Sequence, residues 1–228
     1  MKKLVLSLAV LAGLGFSASA QNNPVKFGVK AGVAFSNVSF SSSGLNVSGD
    51  TRTSFYIGGT VDLPVSELFS VQPGLSYIGK GTKQKVSGSV TMNGQTTSVT
   101  AEETLSPGYL EIPVNLIANF KAGEGKFFVG AGPYYAFGIA GKIKGKQTTT
   151  SGGNTSTVTE DEKIKFGSGS DAHLKRGDFG VNVLAGYQLK SGLSFNAGYG
   201  LGLSNVVNSG QDGKAKNRVF TVGLGFAF

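Results

Sequence analysis

A two-residue alternation running to the last residue constrains this chain more than any other feature. In the segment 218–228, Phe220, Val222, Leu224, Phe226 and Phe228 take every second position, and small or polar residues lie between them. Successive side chains of a strand point to opposite faces, so this segment shows hydrocarbon on one side and a small or wet surface on the other. A soluble domain has little use for so continuous an apolar face. A strand placed between lipid and a barrel interior needs one.

Seven earlier segments repeat the pattern: 26–39, 53–63, 69–80, 109–120, 126–142, 176–189 and 193–203. In the first, Phe27, Val29, Ala31, Val33 and Phe35 share one face, with Gly28, Lys30, Gly32 and Ala34 on the other. Each segment is close to the ~9–11 residues that a tilted strand needs to cross a bilayer. No later apolar run approaches the length of a spanning helix. With 36 glycines in 228 residues, a helical fold would be costly, whereas glycines facing the inside of a narrow barrel leave room for long side chains. Pro73, Pro113 and Pro133 fall inside candidate strands and cannot donate to a ladder. They predict bulges and one-residue register slips there.

At the other end, Met1-Lys2-Lys3 precedes a short apolar stretch, Leu4 to Phe16, and then Ala18-Ser19-Ala20. This is the layout of an export signal cleaved between Ala20 and Gln21. Residues 1–20 are expected to be a signal peptide and 21–228 a single barrel domain. Removing 20 of 228 residues leaves 208, enough for one domain. There is no cysteine, so neither a lipoprotein anchor nor a disulfide is available. Without Lys2 and Lys3, 19 basic residues face 13 acidic ones. These charges form no basic helix or stripe along the sequence, which argues against nucleic acid as a partner. Attraction to phosphorylated lipid headgroups is the expected use of the excess.

Several pieces resemble the outer-membrane β-barrel domain family of Gram-negative bacteria, in particular its PorT-like group. They are Lys26-Phe27-Gly28-Val29-Lys30-Ala31-Gly32-Val33, Phe69-Ser70-Val71-Gln72-Pro73-Gly74-Leu75, Tyr109-Leu110-Glu111-Ile112-Pro113, Phe128-Val129-Gly130-Ala131-Gly132-Pro133-Tyr134 and the terminal Phe226-x-Phe228. The resemblance covers essentially the whole chain after residue 20. It implies an all-β, eight-stranded, antiparallel up-and-down transmembrane barrel of the small OmpA/OmpX type. It also implies that Phe226 and Phe228 form a C-terminal assembly signal for the outer-membrane insertion machinery. A part in protein secretion is attributed to PorT itself, and no feature of this chain transfers that role.

Connections in the sequence alternate short (64–68, 121–125, 190–192) and long (40–52, 81–107, 143–175, 204–216). That matches short periplasmic turns and long extracellular loops. Two of the long connections, around Asn93-Gly94 and Gly152-Gly153, carry hairpin signals and are expected to run on as polar β-ribbons.

The alternation sends Lys30, Asp62, Lys80, Glu111, Lys142 and Asp178 into the barrel, where ionisable groups must pair or keep water. A polar cluster of Lys30, Tyr56, Gln72, Glu111, Asn115, Tyr134, Asp178 and Asn182 is expected to fill the interior. Eight strands enclose too little space for an open channel. No catalytic, cofactor or metal site is expected. His173, with Ser168, Ser170 and Asp171 nearby in sequence, lacks the spacing of an acyl-transfer site. Gly130-x-Gly132 and Gly198-x-Gly200-x-Gly202 lack the strand-to-helix setting of a nucleotide site.

The expected role is structural or surface-interacting, in a monomer whose partners are outer-membrane lipids including lipopolysaccharide and an extracellular or secretion-system protein. An accessory part in an export machine is the alternative, with a lipid A enzyme or a small-solute channel behind it. The rival fold is a soluble, lipocalin-like barrel with its apolar face turned inward.

Overall fold

In the computed structural model, residues 24–42, 45–169, 171–207 and 213–228 are described. The expected signal segment and its cleavage site at Ala20 and Gln21 lie outside them. Eleven strands form one antiparallel sheet: β1 Lys26–Ser42, β2 Leu45–Ser48, β3 Arg52–Pro64, β4 Phe69–Gly79, β5 Thr82–Met92, β6 Gln95–Ala122, β7 Gly125–Ser151, β8 Asn154–Lys163, β9 Gly177–Gln188, β10 Leu193–Gly202 and β11 Lys214–Ala227. Eight of them close a ring in the order β1-β3-β4-β6-β7-β9-β10-β11, and β11 returns to β1 from Gly28↔Ala227 to Ser41↔Lys214. Closure leaves no edge in the ring, which a sheet in lipid requires because hydrocarbon offers unpaired backbone groups no partner. Among the described residues no helix is long and apolar enough to cross a membrane.

The large apolar residues face out. Phe27 is 61% exposed, Ile57 56%, Leu116 53% and Phe195 54%, while Tyr56, Tyr109 and Tyr134 on the inner face are 5%, 0% and 2% exposed. This is the inverse of a lipocalin-like barrel. Outward aromatic pairs, Phe35 with Phe220 and Phe55 with Tyr77, add ring contacts along the same surface. In water so much exposed hydrocarbon would cost roughly 25 cal/mol per Å²; against acyl chains it costs nothing.

The prolines do not slip the register. Pro73 pairs with Val114, Pro113 with Tyr134 and Pro133 with Val181, and each ladder keeps one register past its proline. The pairing of β4 with β6 instead skips Gly74 and Leu75, and that of β6 with β7 skips Val114 and Asn115. A missing N–H donor removes bonds from a ladder without requiring an inserted residue.

The one shift in the β6–β7 ladder comes elsewhere, between Gly108 and Tyr109. Gly108 faces Ala140 and Tyr109 faces Gly138, so Ile139 is the extra residue. A bulge inverts every position beyond it. Lys142, inward by unbroken alternation from Tyr134, therefore points outward and is exposed.

Beyond this bulge β6 and β7 stay paired as far as Thr97↔Ser151, with β5 alongside β6 and β8 alongside β7. The two expected ribbons are thus one four-stranded blade, β5-β6-β7-β8. Its turns take the left-handed backbone that their residues favour, at Asn93 (φ 50°), Gly94 (φ 76°), Gly152 (φ 56°) and Gly153 (φ 81°). Both outer strands are exposed along nearly their whole length, so the blade has no core of its own. Hydroxyl pairs cross it instead, as at Thr97–Ser151 (2.8 Å) and Thr91–Thr96 (2.9 Å). On its surface Lys85 Nζ lies 3.0 Å from Glu102 Oε1, and that hydrogen bond and charge hold the Glu102 carboxyl below the usual carboxylate range.

Candidate functional site

Inside the ring, charge gathers on one residue that the expected cluster omitted. Lys80 follows β4 directly and is 1% exposed. Its Nζ lies 2.9 Å from Glu111 Oε2 on β6 and 2.9 Å from Asp178 Oδ2 on β9. It also stands 4.3 Å from the ring centre of Tyr134 and 5.3 Å from that of Tyr109. Asp178 has no exposure and takes further hydrogen bonds from Asn217 Nδ2 (3.0 Å), Ser204 Oγ (3.0 Å) and Tyr134 Oη (3.5 Å). Two carboxylates around one ammonium leave a formal excess of one negative charge. Neutral donors on Asp178 offset it, as a buried carboxylate requires.

Above this knot the lumen is stopped with hydrocarbon. Val38, Ile164, Leu174, Val206 and Ala215 form a buried cluster, and Phe166 packs against it from the segment that follows β8. Phe166 also meets Tyr109 edge-on at 5.9 Å. The register Phe166↔Leu174 folds that segment across the end of the barrel, and the Lys175 N–H donates to Val206 O to hold it there.

Below the knot is a cavity of about 160 Å³, lined from Lys80 and Glu111 down to Lys26, Lys126 and Gln188 near the short connections. Of the expected cluster, Glu111, Asp178 and Tyr134 meet at Lys80. Lys30, Tyr56, Gln72, Asn115 and Asn182 lie along the cavity. The ion-pair partner of Glu111 is Lys80. Tyr56 Oη donates to Asn196 Oδ1 at 2.9 Å. Asn115 Oδ1 and Ser76 Oγ are buried on this wall without a hydrogen-bond partner, so water reaching the cavity is the physical way to satisfy them. In the sequence Lys80 stands out only as one of six inward ionisable residues; its two carboxylate partners come from strands that meet it in the fold.

His173 is engaged elsewhere. Its Nδ1 accepts from the Lys165 N–H at 3.2 Å, and its Nε2 lies 3.5 Å from Glu162 Oε1. No serine hydroxyl contacts it among the described residues. Groups of three or more metal-ligating side chains are absent among the same residues.

A family model described as outer membrane protein beta-barrel domain matches residues 19–208. No curated protein sequence matches significantly. Among solved structures, Ail, the attachment invasion locus protein of Yersinia pestis, is 12% identical, covers 90% of this chain and 100% of its own, and has a TM-score of 0.35. Neisserial surface protein A is 14% identical with the same coverages and a TM-score of 0.41. The outer membrane protease OmpT from Escherichia coli is 10% identical, covers 91% and 98%, and has a TM-score of 0.33.

Proposed function

The chain belongs to the outer membrane protein beta-barrel domain family, and from that premise we propose that it is a non-catalytic, poreless barrel that presents its blade to a partner outside the cell. Its place is the bacterial outer membrane. In this reading the short connections at 65–68, 123–124 and 189–192 are periplasmic and the blade is extracellular. The barrel acts as a monomer, inserted by the outer-membrane assembly machinery through the strand that ends in Phe226 and Phe228.

The carrying observation is the blade itself. A sheet with no core, held out past the ring, keeps Val86 (71% exposed), Val90 (62%) and Met92 (73%) in solvent. Apolar side chains on a free sheet are a standing cost unless something covers them. The free margins of β5 and β8 also offer unpaired backbone groups to an added strand. Against a pore stand Lys80, Tyr109 and Tyr134, packed across a lumen that eight strands keep narrow. Against catalysis stands the engagement of His173 with backbone and Glu162 rather than with a nucleophile.

The test is complementation by a trimmed barrel, with residues 86–101 and 147–158 each replaced by Asn-Gly. The trimmed protein is expected to fold and to fail to restore whatever phenotype deletion of the gene causes. Full complementation would move the role to the barrel or its periplasmic turns, where an accessory part in secretion becomes the better reading.

A further inference from the structure

The register sorts the charges of the blade by face. Direct cross-strand partners share a face, so Lys85↔Glu102↔Lys146↔Thr159 is one row of one face, and Gln84↔Glu103↔Gly145↔Glu160 is one row of the other. Lys83, Lys85, Lys142, Lys144, Lys146 and Lys163 all fall on the first face, whose only acids are Glu102 and Asp161. Glu103, Glu160 and Glu162 fall on the second, which carries no basic residue.

The basic face also has a fixed direction. On β6 it contains Thr104, Ser106 and Gly108, in step with outward-facing Leu110 and Ile112. It is therefore the lipid-facing surface carried past the apolar band, while the acidic face continues the barrel interior. Strand β11 repeats the arrangement: Lys214, Lys216 and Arg218 stand on the face of Phe220 and Val222, opposite Ser41, Ser39 and Asn37 of β1. Within the blade Lys142 lies directly across from Lys163. Like charges so placed destabilise a sheet unless an anion sits between them.

We propose that this outward basic face, with Lys142, Lys144, Lys146 and Lys163 at its centre and Lys214, Lys216 and Arg218 across the barrel, docks on the phosphates of the glycolipid headgroups that surround the barrel. The occupant is phosphorylated lipid A. The lysines begin where the outward apolar residues stop, three residues after Ile139, and follow every second residue at intervals of ~7 Å. A headgroup layer lies at that depth, and bases at such a boundary are attracted to its negative charge. The bulge at Ile139 makes the site, since without it Lys142, Lys144 and Lys146 would face the barrel axis. The inference rests on the outer-membrane barrel reading and adds a ligand and residues to it.

Native mass spectrometry of the refolded, full-length barrel in neutral detergent tests this. Its arms are bisphosphorylated lipid A, dephosphorylated lipid A and inorganic phosphate, each with an unboiled gel of the same sample. Binding of bisphosphorylated lipid A alone, weakened by salt, is expected. In the triple variant Lys142→Gln/Lys144→Gln/Lys146→Gln each lost lysine is expected to raise the half-saturating concentration roughly fivefold. Glu103→Gln/Glu160→Gln/Glu162→Gln should leave it unchanged. Should the triple variant not fold, Lys142→Gln/Lys163→Gln serves. It removes a like-charge pair, so it should fold at least as well as the parent and bind lipid A more weakly. Equal binding of dephosphorylated lipid A, equal occupancy by inorganic phosphate, or lysine variants with undiminished binding would overturn the proposal while the heat shift still upheld the barrel. A parent protein without any heat shift would overturn both.

Discussion

Lys80 Nζ and Asp178 Oδ2 lie 2.9 Å apart across the lumen, joining residues 98 positions distant in the chain. Both side chains are buried, and Glu111 completes the knot from a third strand. Removing one partner of such a group leaves uncompensated charge, which costs about 3–5 kcal/mol. Lys80→Met is therefore expected to lower the stability of the refolded barrel by that amount, measured by urea titration in detergent micelles. Adding Glu111→Gln and Asp178→Asn should recover most of the loss, because the orphaned carboxylates go with the lysine. A Lys80→Met barrel as stable as the parent would mean that the knot does not hold the strands together.

Glycines on the inner wall are required by close approach. A Cβ on Gly32 would collide with Val222 O on β11 and with the Tyr56 ring. Gly32→Val is expected to cost about 1–3 kcal/mol through overpacking, read as a lower folded fraction on unboiled gels. Gly88, on the blade, has nothing within 4 Å of the same position. Gly88→Val should leave that fraction unchanged.

The C-terminal aromatic has a local structural role. The Phe228 N–H donates to Phe27 O at 2.8 Å, and its ring meets Phe226 edge-on at 5.3 Å. One hydrogen bond and one ring contact are small beside the fourteen-residue register of β1 with β11. If Phe226 and Phe228 form the proposed assembly signal, deleting Phe228 is expected to leave refolding in detergent nearly intact and to reduce assembled protein severalfold in cells. Equal losses in both settings would make the residue purely structural.

His173→Ala is expected to leave the lipid A mass spectrum of a producing strain identical to that of the parent and of the deletion strain. A modification present with the parent and lost in the variant would contradict the non-catalytic reading.

The ring was legible in the sequence because alternation with period two is local: the eight segments and their outward faces follow from side-chain spacing alone. Ends were less so. The segments at 109–120 and 126–142 look finished where hydrophobicity stops, yet β6 and β7 run on for 28 and 27 residues by pairing with each other. That pairing is tertiary, and two hairpin signals cannot reveal that their ribbons join. Lys142 was misplaced for a related reason. Ile139 is an outward apolar residue like Phe137 before it, and nothing in its type marks it as the extra residue of a bulge. Prolines drew attention to the wrong positions, since a lost donor and an inserted residue are different defects. The interior set was legible by face but not by partner: Glu111 and Lys30 share the inner wall, and only the register sets Lys80 between the two carboxylates.

The most direct measurement is a gel of membrane-fractionated protein, boiled beside unboiled. A closed ring of eight strands with its apolar face in lipid predicts an outer-membrane band that migrates faster before boiling than after. A soluble protein whose mobility boiling does not change would contradict it.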